Sequence, residues 1–249
     1  MTALVAAGQR YLPRGWRDFG RQIAIWFGFL AAYQVARGVA DRNPKEAFAN
    51  GTKVIDIERN AHALFELTIQ RLTDSYGVLR VAASWTYWSS EFVIVGISLL
   101  WVYLRRNDAF IRFRNTILLA NVIGLVGYVA VPTAPPRMFH ALGFGDTLQD
   151  YASLNHGSSL VTLVSNPYAA MPSLHAADAL IVGITLAALC RNRVAKAFWL
   201  LYPVWVWYAV IGTGNHFWLD VVAGILVATL AAGISYRRYL RPIAPRAAA

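Results

Sequence analysis

Charge is what this chain has least of. Lys, Arg, Asp and Glu supply 14% of its 249 residues, where a soluble domain carries about 25%. Cysteine is confined to Cys190, so an internal disulfide framework is excluded and the redox compartment is not legible. There is no HExxH pair and no Cys cluster, which removes the usual zinc signatures. No repeat of about 20–50 residues recurs, and no low-complexity linker interrupts the chain. These absences leave one expected domain, 1–249, with 57% apolar residues and a mean hydropathy of +0.42.

The apolar residues are gathered into runs at 23–40, 81–104, 116–132, 174–190, 197–211 and 217–236. Most approach the ~17–25 residues that carry a helix across a bilayer, and Lys196 and Gly212 extend the fifth. The expected fold class is all-α: a polytopic membrane protein, a bundle of six transmembrane helices with an outward-facing interfacial helix. The first run starts late and holds Arg37, which reads as a retained helix and not a cleaved signal.

A formal net charge of +10 would suit a nucleic-acid partner, but its distribution does not. Arg10, Arg14, Arg17 and Arg21 precede the first run, and Arg105, Arg106, Arg112 and Arg114 separate the second from the third. Arg191, Arg193 and Lys196 lie between the fourth and fifth, and Arg237, Arg238, Arg241 and Arg246 follow the sixth. Fifteen of 23 cations therefore fall in four segments that six crossings put on one side, and the positive-inside rule makes that side cytoplasmic. We expect no nucleic-acid partner, a plasma-membrane location and both termini in the cytoplasm. A basic tail, 1–22, lies inside; 41–75 and 133–170 face outward. Some attraction to anionic lipid follows.

Within 41–75, the stretch VIDIERNAHALFELTIQRL sets Ile57, Ala61, Leu64 and Leu67 at helical spacing with charges between them. That pattern fits an amphipathic helix in the outer interface, or equally a small helical cap over the bundle. Nine tryptophans, Trp85, Trp88, Trp205, Trp207 and Trp218 among them, fit interfacial belts.

Two of the five histidines sit in apolar surroundings, in AAMPSLHAADAL (169–180) and GTGNHFWLDVVAG (212–224). Six crossings bring His175 and His216 to the same depth, just inside the outer boundary. Pro172 suits the first turn of a helix. Gly212 and Gly214 break the chain before the last helix and let backbone approach a ligand. Two helix N-termini meeting there would offer free N–H groups to an anion. His216 and Asp220 are four apart and share a helix face. A carboxylate beside an imidazole fixes its tautomer and stabilises the imidazolium, which is what a histidine needs to attack phosphorus. His175, at matching depth, is the candidate general acid.

The blocks PTAPPR (132–137), MPSLHA (171–176) and GNHFWLD (214–220) resemble three motif blocks of the type-2 phosphatidic acid phosphatase superfamily. The likeness is nearest to its branch of inositol phosphorylceramide synthases and their bacterial relatives, and it extends to IDIERNAHALFE. The resemblance implies His216 as nucleophile held by Asp220, His175 as the acid and Arg137 as a phosphate ligand, within a catalytic core at 116–236. It implies a phosphohistidine intermediate with no metal and no cofactor. Ser173 and Asn215 join Arg137 as expected substrate-binding residues.

The family's phosphatase pattern is Lys-x6-Arg-Pro, Pro-Ser-Gly-His and Ser-Arg-x5-His-x3-Asp. This chain has Ala130 for the Lys, Met138 after Arg137, Leu174 for the Gly, and Ala209 and Val210 for Ser-Arg. Two cations suited to a dianionic phosphate monoester are missing. The expected reaction is therefore transfer of a phospho-headgroup from a phosphodiester or diphosphate lipid, to water or to a lipid or sugar-lipid acceptor. A lipid phosphatase releasing inorganic phosphate would share these residues, and a non-catalytic lipid transporter would not need the His216–Asp220 pair.

Blander readings stand beside these. His175 alone would be a core histidine, and His175, Asp178, His216 and Asp220 are by residue type a metal set. Asp178 either orients His175 or pairs with Arg137, and Glu91 pairs within the bundle. Ser173 donates to phosphate or merely caps its helix. His62, His140 and His156 belong to solvated loops.

Overall fold

The computed structural model describes residues 12–40, 43–148 and 167–240; His156, Arg10, Arg241 and Arg246 lie outside the described residues. The protein is all-α. In chain order the helices are α1 (Gly15–Ala40), α2 (Pro44–Asn60), α3 (Glu66–Ser75), α4 (Gly77–Ser89), α5 (Val95–Arg105), α6 (Asn107–Ala130), α7 (Leu174–Leu189), α8 (Arg193–Gly212) and α9 (Trp218–Leu240). A π-helical turn, Ser90–Ile94, joins α4 to α5.

Four of the described helical stretches are long and apolar enough to cross a membrane: Gly77–Arg105, Asn107–Ala130, Arg193–Gly212 and Trp218–Arg237. The other two expected spans, in α1 and α7, are not in that set. α1 is 26 residues long, with Arg17, Asp18 and Arg21 ahead of its apolar run and Arg37 near its end. α7 has only 16 residues, about 24 Å at 1.5 Å per residue. It is the central helix, packed by α6, α8 and α9, and Ala176, Ala177, Ala179 and Val182 along it are buried. Small residues let three neighbours approach it closely.

Side-chain caps set the starts of some of these helices. Asn192 Oδ1 accepts from the Val194 and Ala195 N–H groups (2.8 and 3.2 Å) to start α8, and Asn43 caps α2 ahead of Pro44. The basic segments share one end of the bundle. Arg106 Nη1 donates to Leu189 O at 3.1 Å, and the Arg112 guanidinium lies 6.0 Å from the Tyr236 ring centre. The two histidine blocks are at the opposite end.

The outer segment is helical, as both of its readings had it, but not as one helix and not with the expected face inward. It is two helices, broken between Asn60 and Glu66, with His62 at φ 54° in the break. The periodic apolar set is not the buried one: Ile57 is 57% exposed. α2 instead buries Ala47, Gly51, Val54, Ile55 and Glu58, and α3 buries Glu66, Gln70 and Thr73. The inward face of α3 is polar because Glu66 and Gln70 bond backbone elsewhere and Thr73 bonds the Tyr208 hydroxyl.

Candidate functional site

Three proline- and glycine-bearing connections are joined by backbone hydrogen bonds at the end of α7 and α9. Pro132, Pro135 and Pro136 cannot continue α6, and the chain there runs extended. Thr133 N donates to Tyr168 O (2.9 Å) and Ala170 N to Thr133 O (3.2 Å), so the PTAPPR block runs beside the approach to α7. Arg137 N donates to Gly214 O at 2.8 Å, which ties the same block to the loop before α9. Gly214 has φ +70°, and a Cβ there would fall 2.6 Å from Gln70 Nε2. At Gly224 a Cβ would come 2.2 Å from Ser173 O. α9 and the start of α7 therefore touch backbone to backbone, and Ser173 N donates to Asp220 O at 2.9 Å.

His216 precedes α9; it does not lie on it. Its Nδ1 is 2.8 Å from Ala170 O and 3.5 Å from Asp220 Oδ2. A carbonyl oxygen only accepts, so Nδ1 carries the hydrogen and the neutral ring keeps its lone pair on Nε2. Asp220 Oδ2 also accepts from Phe217 N at 2.8 Å. The expected pairing of His216 with Asp220 is present, but across a helix cap and not along one helix face.

His175 opens the first turn of α7. Its ring stacks on Tyr87 (4.4 Å between centres, 17° between planes) and lies 5.7 Å from the His216 ring centre. Its Nε2 is 3.2 Å from Tyr87 O and 3.3 Å from Glu91 Oε2. By the same argument Nε2 is the donor and Nδ1 is the nitrogen left over. Glu91 and the Tyr87 carbonyl reach His175 at the π-helical turn, where the widened turn redirects side chains and frees carbonyls. Glu91 is more than the bundle pair expected of it, and the contribution of Tyr87 was not legible.

Arg137 hydrogen-bonds to Asn215 Oδ1, and its Nε lies 3.8 Å from Asp146 Oδ2, an acidic neighbour that sequence reasoning missed. Asn215 is itself held, with its Nδ2 donating to Thr213 Oγ1 (2.9 Å) and O (3.2 Å). Ser173 is fully buried, and its Oγ caps α7 by accepting from Ala176 N at 3.3 Å. The cap leaves its hydroxyl hydrogen available to donate. Asp178 does neither of the things expected of it. Both its oxygens accept from Asn121 Nδ2, at 2.9 and 3.0 Å. Among the described residues no three His, Cys, Asp or Glu converge to hold a metal. His140 is exposed, with Nδ1 3.2 Å from Phe144 O.

The expected free N–H groups at the start of α9 are taken. Phe217 N donates to Asp220, Trp218 N to Glu66 Oε1 (3.0 Å) and Leu219 N to Glu58 Oε1 (3.2 Å). That helix terminus therefore has no N–H at Phe217, Trp218 or Leu219 left to offer an anion. Of the departures from the family pattern, Leu174 fills the space over Gly124 and Ala209 and Val210 are buried, whereas Ala130 is exposed.

Comparison with known proteins supports this arrangement at the level of family and fold. A phosphoinositol dihydroceramide synthase of Bacteroides thetaiotaomicron is 29% identical over 159 residues, 57% of this chain and 50% of that protein. The chain thus spans about half the length of this curated relative. The crystal structure of Aquifex aeolicus LpxE superposes with a TM-score of 0.51 at 18% identity, covering 70% of this chain and 93% of that one. The sequence profile of the PAP2 superfamily matches residues 52–234, which takes in all three blocks, both histidines, the second half of α2 and all of α3, and the chain belongs to that superfamily.

Proposed function

We propose that the protein is an integral membrane lipid phosphotransferase that moves a phospho-headgroup from a phosphodiester lipid through a phosphohistidine on His216. The observation that carries this reading is the pairing of the two rings. Each has one nitrogen fixed by a carbonyl and a carboxylate, and they lie 5.7 Å apart beside Arg137 and Asn215. In the first step His216 Nε2 attacks phosphorus, the ester P–O bond breaks and His175, entering as the imidazolium with Glu91 as its counter-ion, gives its Nδ1 proton to the departing alcohol. In the second, His175 takes the proton of an acceptor hydroxyl whose oxygen attacks phosphorus, and the N–P bond electrons return to His216. Two lower barriers replace one high one. No step is assigned to a metal or cofactor.

A diester is the favoured donor on charge. Arg137 is the cation placed against the site, and Asp146 already lies 3.8 Å from it. Ala130 and Val210 stand where the family pattern has further cations that would answer a dianion. The relative's name makes phosphoinositol the first headgroup to test and a ceramide the first acceptor. Six crossings, with both termini cytoplasmic and the site in the outer leaflet, complete the proposal. The arginine distribution supports that orientation.

The test is turnover by purified protein in detergent on phosphatidylinositol, phosphatidylglycerol, phosphatidate and polyprenyl diphosphate, each with and without ceramide or diacylglycerol. A diester lipid should turn over, with its phospho-headgroup released or passed to the acceptor. Rapid phosphate release from phosphatidate with inert diesters would replace the transferase by a lipid phosphatase.

A further inference from the structure

Glu58 and Glu66 are fully buried, come from different helices of the outer segment and are used by no step above. Each offers one oxygen to a backbone N–H at the start of α9: Glu58 to Leu219 (3.2 Å) and Glu66 to Trp218 (3.0 Å). Asp220 takes the N–H of Phe217. Three consecutive amides, beginning one residue after His216, are thus held by three carboxyl groups. The second oxygens of Glu58 and Glu66 meet no donor while both groups are ionised.

We propose that Glu58 and Glu66 are a proton-sharing positioning pair that grips the start of α9 and keeps His216 and Asp220 in register with Ala170 O. The inference rests on His216 being the nucleophile. A proton on Glu58 turns one orphan oxygen into a donor for Glu66, so both second oxygens are satisfied at once. Burial, then the charge of Glu66, pushes Glu58 up to about 9; burial also raises Glu66, against the Trp218 N–H bond that favours its charged form. The charged groups facing the pair are each other and Asp220. Arg59, beside Glu58 on α2, turns outward to Asp56 at 3.7 Å. Above the alkaline limit three carboxylates would crowd one helix terminus, and the grip would weaken.

The experiment has two arms. Hydrogen exchange of the 214–222 peptide at pH 7 reads the grip without any substrate. Glu58→Ala and Glu66→Ala should lose protection there, and Glu58→Gln, which keeps an acceptor for Leu219 and a permanent donor for Glu66, should retain it. Turnover of whichever lipid the panel identifies reads the consequence. Both alanine variants should lose about tenfold or more in kcat with KM within about threefold, as expected for lost alignment and not lost ground-state binding. Glu58→Gln should rescue most of that loss and remove the wild-type decline above about pH 9. Unchanged protection in the alanine variants, or lost protection with undiminished kcat, overturns the proposal. A fully active His216→Ala overturns the functional reading instead, and a panel with no turnover leaves the exchange arm to decide the grip alone.

Discussion

Asp220→Asn separates the two things a carboxylate does for a histidine. In many His–carboxylate pairs the acid sets the tautomer, and its amide replacement then costs about 10⁴ in kcat. Here Ala170 O, at 2.8 Å from Nδ1, sets the tautomer by itself, and the amide oxygen of Asn can still accept from Phe217 N. What the substitution removes is charge, 3.5 Å from Nδ1. At that distance a full charge on the imidazole is stabilised by about 4–5 kcal/mol at an effective dielectric of about 20. Some of this returns through the amide dipole, leaving roughly 3–4 kcal/mol, or 10²–10³ in rate. Single-turnover measurement of headgroup release by Asp220→Asn should show that loss, with KM little changed. Thermal unfolding should move little, because an oxygen with no partner, Asp220 Oδ1, is exchanged for a neutral amide. A loss as deep as that of His216→Ala would mean that Ala170 does not fix the tautomer. A loss below about threefold would mean that no charge develops on His216.

Other outcomes follow from the same geometry. His216→Ala and His175→Ala should each lose at least about 10³-fold in turnover, and the double variant little more, because members of one catalytic unit fail together; additive losses would separate them into independent roles. Gly224→Val should lower Tm or abolish folding, since its first carbon would already lie 2.2 Å from Ser173 O; normal expression with unchanged Tm would contradict the close contact of α7 and α9. Glu58 binds its proton more tightly folded than unfolded, so its stabilising contribution is fully present below its ordinary value of 4.5 and is lost as pH rises to about 9. Tm in detergent should therefore fall across that window, and the fall should shrink in Glu58→Gln. Cysteines at Asn107 and Asn192 should resist impermeant thiol reagents in intact cells while one at His62 reacts; the reverse pattern would place the site in the cytoplasm.

The parts of this molecule that meet lipid were legible, because a bilayer demands a run of apolar residues and leaves little choice about how to write it. The runs at 116–132, 197–211 and 217–236 became α6, α8 and α9, and the paired histidine blocks met where equal depth put them. The inward face of the outer segment was not legible, for a specific reason. Apolar periodicity presumes that the buried face is the apolar one, yet α3 buries Glu66, Gln70 and Thr73 because each has a partner: Trp218 N, Gly145 O and Tyr208. A side chain buried to satisfy backbone leaves no periodic trace. The π-helical turn that carries Glu91 to His175 has no sequence signature either, and Pro172 falls ahead of α7, after a cis peptide, and not in its first turn.

What sequence conceals most completely is the backbone carbonyl, and both rings depend on one. Ala170 O fixes His216 through Nδ1, and Tyr87 O fixes His175 through Nε2. Each carbonyl is accompanied by a carboxylate at the same nitrogen, Asp220 in one case and Glu91 in the other. The arrangement is one device used twice with the nitrogens exchanged. If both rings offered Nε2, both would be tethered from the near side and would reach their target by the same length of ring. With Nε2 free on His216 and Nδ1 free on His175, one ring presents its far nitrogen and the other the nitrogen next to its own Cβ. That difference suits unequal tasks. On the proposed mechanism the far nitrogen extends to bond phosphorus, and the near one, on a ring stacked against Tyr87, stays back to exchange a proton with an oxygen one bond away from it. Carbonyls set which nitrogen works, and carboxylates set how readily it takes charge. The site's chemistry is therefore divided between backbone that any sequence could supply and acids that only these positions place.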